Sequence, residues 1–547
     1  MRAFRVARLR REARTSAHTD WRPVIATNPT RWREAVAQAN GPRVLLATNV
    51  GLHFGAGRLD SLLAVALTLR GARVSFLFCD KVLPACMAAD ISWFPDLKRF
   101  ERDGPTNELC GCCFVPANER IADLGLPVHR LGSWLTSADF KESTQRAESV
   151  DMSALATATL DGIPVGEHAR SGVLRFFARG TLEPGSEPAA RAYLRAAQLA
   201  HLSVSRLMTR EKQDVVVLHH GIYVPQGPSA AAVRDVGARV VTWNPAYRKQ
   251  CFIFSHDDTY HRSMLTEPVA TWENLNLSKI QNRELTTYLE SRWKGTEDWI
   301  AFSRTPAFNF DEWATMRTID PNKPIIALLT NVMWDAQLHY PTNAFSSMRE
   351  WLSGTVRYFA NRSDLQLVIR VHPAEVTGNL PARETAAEIL ATDIGKLPRN
   401  VFVLGPTDKL STYMLAARSK AAIIYATKAG IELATMGIPV IAAGEAWVRG
   451  KGMALEAANP EEYYRILDGL PETNLDMKAV TKRARLYAYH FFFRRMIPIG
   501  AMEPVPGWPP YRVNVASLEA LAAGADVGLD VVCEGIMNAA PFIYPAK

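Results

Sequence analysis

Ala421-Ala-Ile-Ile-Tyr425-Ala-Thr-Lys-Ala-Gly430-Ile-Glu432-Leu-Ala-Thr-Met-Gly437-Ile-Pro439-Val-Ile-Ala-Ala-Gly444 is the stretch that decides the fold. It begins as a buried strand ending at Tyr425 and passes through a turn of small residues. A short helix follows, with its N-terminus near Ala429. Gly437-Ile-Pro439 ends that helix and starts a second apolar strand. Strand, helix and strand in this order form the unit of a parallel sheet. A helix N-terminus offers unpaired N–H groups and a partial positive charge, which suit a diphosphate. Thr427, Lys428 and Gly430 would line that turn, and the Glu432 carboxylate would accept bonds from ribose hydroxyls. The alternative is a plain strand–turn–helix with Glu432 as an ordinary helix-start acid.

Outward from this stretch, apolar runs at 324–329, 365–371, 401–404, 421–425 and 438–442 alternate with helical patterns near 346–359, 410–418 and 430–436. That alternation predicts a doubly wound sheet. The run Leu367-Val-Ile-Arg370-Val-His372-Pro373 ends a strand with a cation, a histidine and a proline. With period 2, Arg370 and His372 point to one side, where they suit phosphate binding or leaving-group stabilisation. The N-terminal half repeats the theme. Strands are expected at 44–48, 74–78, 215–218 and 239–242, with helices at 59–70 and 229–236 between them. The predicted organisation is therefore a basic arm (1–42), an α/β domain (43–270) with a helical insert (138–211), a Trp-rich helical linker (271–322) and a second α/β domain (323–465). A C-terminal helix and tail (466–547) return toward the first domain. Two doubly wound α/β domains facing a cleft place the default ligand site at the carboxyl ends of the strands, between the domains.

Two further segments carry candidate chemistry. Phe252-Ile-Phe-Ser255-His256-Asp257-Asp258-Thr259-Tyr260-His261 runs from an apolar strand into a polar cluster, and His256 and Asp257 are candidates for a general base. The loop Asn49-Val-Gly-Leu-His53-Phe-Gly55-Ala-Gly57-Arg58 is glycine-rich without the spacing of a nucleotide loop, and His53 or Asp60 would face the cleft. Cys79, Cys86, Cys110, Cys112 and Cys113 fall close together, but their spacing matches no common zinc site, and buried thiols are the better reading. No metal is expected, and no cofactor beyond a co-substrate.

The formal charge is +8, but the first 40 residues hold nine Arg and three acids and account for +6 of it. The rest of the chain is near neutral, which argues against nucleic acid. For the arm, the alternatives are a solvated helix, a contact to an anionic membrane surface, or a partner-binding segment. It lacks the apolar stretch of a secretory signal, although its Arg-rich, acid-poor composition is shared with transit peptides. No run is apolar enough to span a bilayer. Seven Cys in 547 residues form no disulfide framework and suit a reducing cytosol.

Taken in order, these parts resemble the capsule-polysaccharide-biosynthesis type of bacterial glycosyltransferase, which has the GT-B fold of two Rossmann-like domains. The resemblance rests on His372-Pro373, Thr407-Asp408 and Ser411-Thr412, the block Thr427 to Glu432, Gly437 to Val440, and Arg449-Gly-Lys-Gly452. Cys79-Asp80 with Leu83-Pro84-Ala85-Cys86, and Phe252 to Asp257, are similar to segments of the family's N-terminal half. Ala426-Thr427 departs from the family's usual Ser-Thr or Ser-Ser. The resemblance implies a nucleotide-sugar donor in the second domain, held by His372 and the Thr427–Glu432 turn with charge from Lys451. It implies a glycan or lipid-linked acceptor in the first domain, deprotonated by His256, Asp257 or His53. The implied reaction is inverting and metal-independent, in the cytoplasm or on the inner face of the membrane. A polyol-phosphate transferase or sugar-nucleotide epimerase of the same fold, and a non-catalytic polysaccharide-assembly protein, remain as alternatives.

Overall fold

A computed structural model describes residues 2–15, 18–159, 162, 164–300, 306, 307, 309–336 and 342–545. Its first sheet is built from β1 (Arg43–Asn49), β2 (Arg73–Phe78), β3 (Val128–Arg130), β4 (Val215–His219), β5 (Arg239–Pro245) and β6 (Cys251–His256). The second contains β7 (Ile325–Leu329), β8 (Gln366–Arg370), β9 (Val401–Leu404), β10 (Ala421–Ile424), β11 (Val440–Ala442) and β12 (Leu455–Glu456). Beyond these lie β13 (Ile497–Pro498), which joins the first sheet, and a small hairpin of β14 (Met502–Pro504) and β15 (Tyr511–Val513).

The strand order is β13-β6-β5-β4-β1-β2-β3 in the first sheet and β12-β11-β10-β7-β8-β9 in the second. From β1 to β5 every pairing is parallel, and so is every pairing in the second sheet. Each sheet therefore reverses its winding once, between β1 and β4 and between β7 and β10. Such reversals open a crevice at the carboxyl ends of the strands, where α/β proteins take ligands. This is the doubly wound, two-domain GT-B arrangement.

Both faces of each sheet are covered, which is why its strands read as unbroken apolar runs. On β1, Val44 and Leu46 pack under the helix Phe54–Leu69 and the C-terminal helix Val527–Asn538. Leu45 and Ala47 pack on the other face, under the helices Val165–Phe177 and Glu187–Glu211 of the insert. All four residues are fully buried, so truncating Leu46 to Ala would cost about 2–5 kcal/mol. The strand β3 has no such run: Val128-His-Arg is three residues long and half exposed, and sequence patterning passes over it.

The Trp-rich stretch is packed rather than open. Trp272 and Trp313 share one core with Tyr288 and Leu289 of the helix Lys279–Lys294, with Tyr487 of the helix Met477–Tyr489, and with β7 and β10. Met264 and Ile253 of the first domain join the same core. The chain then crosses back. β13 pairs antiparallel with β6, and the C-terminal helix lies against the helix Phe54–Leu69. At the other end, the helix Arg2–Thr15 turns Val6, Leu9 and Ala13 inward and leaves Phe4 and most of its arginines in solvent. No helix among the described residues is long and apolar enough to cross a membrane.

Candidate functional site

The loops that leave the carboxyl ends of the two sheets meet. Tyr223, just beyond β4, donates its hydroxyl to Asp335 Oδ1 at 2.8 Å, and Asp335 lies just beyond β7. The N–H of Ala336 donates back to Tyr223 Oη at 2.9 Å. Val50, Leu52 and Ile222 pack around this contact with Ala336. The two winding reversals thus face one another across the domain boundary.

On the second-domain wall, His372 stands two residues beyond the end of β8. Its N–H donates to Thr330 Oγ1 at 3.0 Å, and its Nδ1 accepts the N–H of Ala374 at 3.1 Å. A ring nitrogen that accepts a backbone N–H carries no proton, so the neutral ring of His372 holds its proton on Nε2. Burial lowers its pKa to about 4, with Lys428 and Arg370 nearby reinforcing the shift. Asn331 Nδ2 donates to the carbonyl of Ala426 at 2.8 Å and ties the loop after β7 to the turn after β10. In that turn Thr427 is half-buried, and its hydroxyl accepts from Ala429 N at 3.4 Å at the start of the helix Ala429–Thr435.

The first-domain wall is a cluster of imidazoles. His53 caps the helix Phe54–Leu69, and its Nδ1 accepts the N–H of Ala56 at 2.9 Å. The ring of His53 lies 4.2 Å from that of His219, the last residue of β4. His220 follows at 5.4 Å, stacked on Tyr223, with His261 a further 5.4 Å on. Burial holds all four below the usual histidine range, His53 at about 4 and His220 at about 3. Arg175 of the insert adds to the shift at both His53 and His220.

Several expectations from the sequence are corrected by this geometry. Glu432 is fully buried and committed to protein partners. Its Oε1 accepts from Arg292 Nε at 3.0 Å and Lys428 Nζ at 3.1 Å, and its Oε2 from the Tyr413 hydroxyl. Burial alone would raise its pKa, but Arg292 and Lys428 outweigh it and hold the carboxyl at about 2. It offers no oxygen to a ribose, and Lys428 is drawn into the same network beneath the Tyr247 ring. Gly430 does not expose backbone to a ligand. A Cβ there would lie 2.7 Å from Ile424 Cδ1 and 3.2 Å from Val448, so its smallness serves close packing of helix on strand. Arg370 turns toward the β9 side, donating to the Gly405 carbonyl at 2.6 Å and to Thr412. Lys451 is 1% exposed and donates to the carbonyls of Met264 and Leu265, bracing the domains together.

His256 and Asp257 lie at the wrong rim. β6 runs antiparallel to β5, and the N–H of Asp257 bonds the carbonyl of Val240, near the amino end of β5. His256 stacks on Phe542 and bonds the carbonyl of Ala540 at 2.9 Å. The chain then folds back, and His261 from the same polar run reaches the imidazole cluster. Asp60 is sealed beneath the sheet, where its Oδ1 accepts from Trp243 Nε1 at 3.0 Å. The seven cysteines are free thiols, and among the described residues no group of three or more His, Cys, Asp or Glu is arranged to hold a metal ion.

The cleft residues passed over in the sequence are His219, His220, Tyr223, Asp335 and Arg175. The rule that picks out His372, a polar residue closing a buried strand, also fits His219-His220 after Val215-Val-Val-Leu218. Arg175 carries no comparable signal.

No protein-family profile matches the chain, and no curated protein matches it in sequence. Among solved structures it is similar to KpsC, a beta Kdo 2,4 transferase of Thermosulfurimonas dismutans, at 12% identity and a TM-score of 0.33, over 51% of this chain and 79% of that one. It is also similar to the UDP-GlcNAc 2-epimerase of Neisseria meningitidis bound to UDP-GlcNAc, at 9% identity and 0.23, over 82% and 95%. The glycosyltransferase SnogD of Streptomyces nogalater gives 13% identity and 0.23, over 82% and 94%.

Proposed function

We propose that the protein is a nucleotide-sugar-dependent glycosyltransferase that acts on a glycan or lipid-linked acceptor by inverting transfer. The observation that carries this reading is the meeting of two winding reversals across one cleft, with a histidine locked as an Nε2–H donor on the second-domain wall. A neutral N–H donor suits the phosphates of a nucleotide donor and the charge that develops on them as the sugar departs. Thr427 stands at the turn after β10 on the same wall. Metal-independent departure asks the protein to supply all of that stabilisation.

The acceptor hydroxyl must give up a proton. His53, fixed as an Nε2–H donor, cannot take it, and His256 and Asp257 are remote. Asp335 stands at the domain boundary, held by the Tyr223 hydroxyl, and it is our candidate base. Thermal melting with CMP, CDP, UDP, GDP and ADP tests the donor half. A nucleotide at 100 times its Kd adds about 2.7 kcal/mol of stability. His372→Ala should remove that gain, and Asp335→Asn should keep it while abolishing transfer. The absence of stabilisation by every nucleotide would refute the reading. The basic face of the helix Arg2–Thr15 suits an anionic bilayer on which lipid-linked acceptors lie, and flotation with and without residues 1–15 tests that part, since Trp21 and Trp32 beyond them belong to the core of the first domain.

A further inference from the structure

Arg175 is the cation of the first-domain wall. Arg292 is paired with Asp298 and Glu432, and Lys428 with Glu432. Arg175, half-buried on the helix Val165–Phe177, donates to the carbonyl of Met87 and lies over the Tyr223 ring at 5.6 Å. Among the described residues no carboxylate is ion-paired with it. Asp335, on the facing wall, takes its hydrogen bond from the Tyr223 hydroxyl and feels the charge of Arg175 without pairing to it. A guanidinium has five donors, and one carbonyl does not satisfy them. Around it stand polar groups short of partners. His219 is 6% exposed, and its Nδ1 has no hydrogen-bond partner among the described residues; nor does Nδ1 of His220. His53 adds an Nε2–H donor 4.2 Å, ring to ring, from His219. A largely buried wall with a cation that has donors to spare and several neutral imidazoles is complementary to an anion.

We propose that Arg175, with His53, His219 and His220, binds an oxyanion of the acceptor, a carboxylate or a phosphate monoester, so that the acceptor is an acidic sugar or a phosphorylated glycan. This rests on the reading of the cleft as a two-substrate site. It assigns the anion to the acceptor because the group lies at the β1/β4 reversal, on the wall opposite His372. The imidazoles would orient the anion, and the fork of Arg175 would fix its plane bidentately.

The test is the melting of the full chain with glucuronate, glucose 6-phosphate and glucose, each with and without a saturating nucleotide. The expected result is stabilisation by one or both acids and none by glucose. The gain should add to that from the nucleotide, and the apparent Kd should be at least about tenfold weaker in Arg175→Gln. Glucuronate and glucose 6-phosphate separate the carboxylate from the phosphate. An undiminished gain in Arg175→Gln, equal gains from glucose and the acids, or displacement of the acid by nucleotide would each overturn the proposal. If Arg175→Gln does not fold, the wild-type protein still decides. With ¹⁵N-histidine labelling, the acids but not glucose should move the His53 and His220 ring signals, and unmoved signals reject the site. If no nucleotide binds, the donor reading fails while the Arg175-dependent gain is still measured without nucleotide.

Discussion

Glu432→Gln separates a structural carboxylate from a ligand-binding one. In the folded chain both carboxylate oxygens serve Arg292, Lys428 and Tyr413, and Arg292 also engages Asp298 and the Tyr288 hydroxyl. Removing the charge leaves Arg292 to Asp298 alone and Lys428 with no carboxylate in a dry interior. Breaking a buried pair of this kind costs about 3–5 kcal/mol. Linkage gives a similar size. The carboxyl falls from 4.5 to about 2 on folding, which corresponds to about 3 kcal/mol at neutral pH. Because the folded value is depressed, that stability is present above pH 4.5 and is lost as the pH falls toward 2. At about 2–4 °C per kcal/mol for a domain of this size, the melting temperature at pH 7 should drop by roughly 10 °C. The acid slope of stability between pH 4.5 and 2 should flatten in the variant. The gain from a bound nucleotide should survive, since no oxygen of Glu432 faces the cleft. An unchanged melting temperature together with loss of nucleotide stabilisation would refute the reasoning and restore the ribose-binding reading.

Lys451→Met should cost about 2 kcal/mol by leaving the carbonyls of Met264 and Leu265 without their donor, read as a lower denaturation midpoint with nucleotide binding intact. His256→Ala should loosen the tail at Ala540 and Phe542, seen as faster proteolysis of the C-terminus, and leave the cleft's ligands bound as before. The buried histidines set the response to acid. His53 and His372 at about 4 and His220 at about 3 stay neutral where the unfolded chain, at 6.5, binds protons. Folding is therefore favoured above pH 6.5 and is weakened as the pH falls toward 4, by about 1.4 kcal/mol per pH unit for each histidine. Chemical denaturation between pH 7 and 5 should show that slope, and His220→Phe should reduce it.

The sheets were legible because strands buried on both faces must be apolar throughout, and 215–218, 324–329 and 421–425 have no other reading. The second-domain wall was legible in part for a related reason. Residues that close such strands stand at the carboxyl edge, which brings out His372 and Thr427. The partners of Glu432 were not, because Arg292 lies 140 residues away and only tertiary packing brings it there. Arg175 shows the same limit from the other side. On a helix of the insert it reads as a solvated charge, and its place in the cleft depends on how the helix Val165–Phe177 packs on the helix Glu187–Glu211.

His256 was misplaced for a reason the sequence does contain. Only Ala246 to Gln250 separate β5 from β6, and a parallel crossover needs about a dozen residues. So short a link forces a hairpin, the hairpin reverses β6, and a polar cluster at the end of a reversed strand falls at the amino rim, away from the ligand edge. The same counting explains His261. The left-handed turn at Asp257, with φ of 61°, and the bond from the Thr242 hydroxyl to the carbonyl of Asp258 send the chain back along the sheet. Thr259 then passes beside Gly221, and His261 arrives next to His220. One polar run thus serves both rims: its first histidine anchors the C-terminal tail, and its last completes the wall of the cleft.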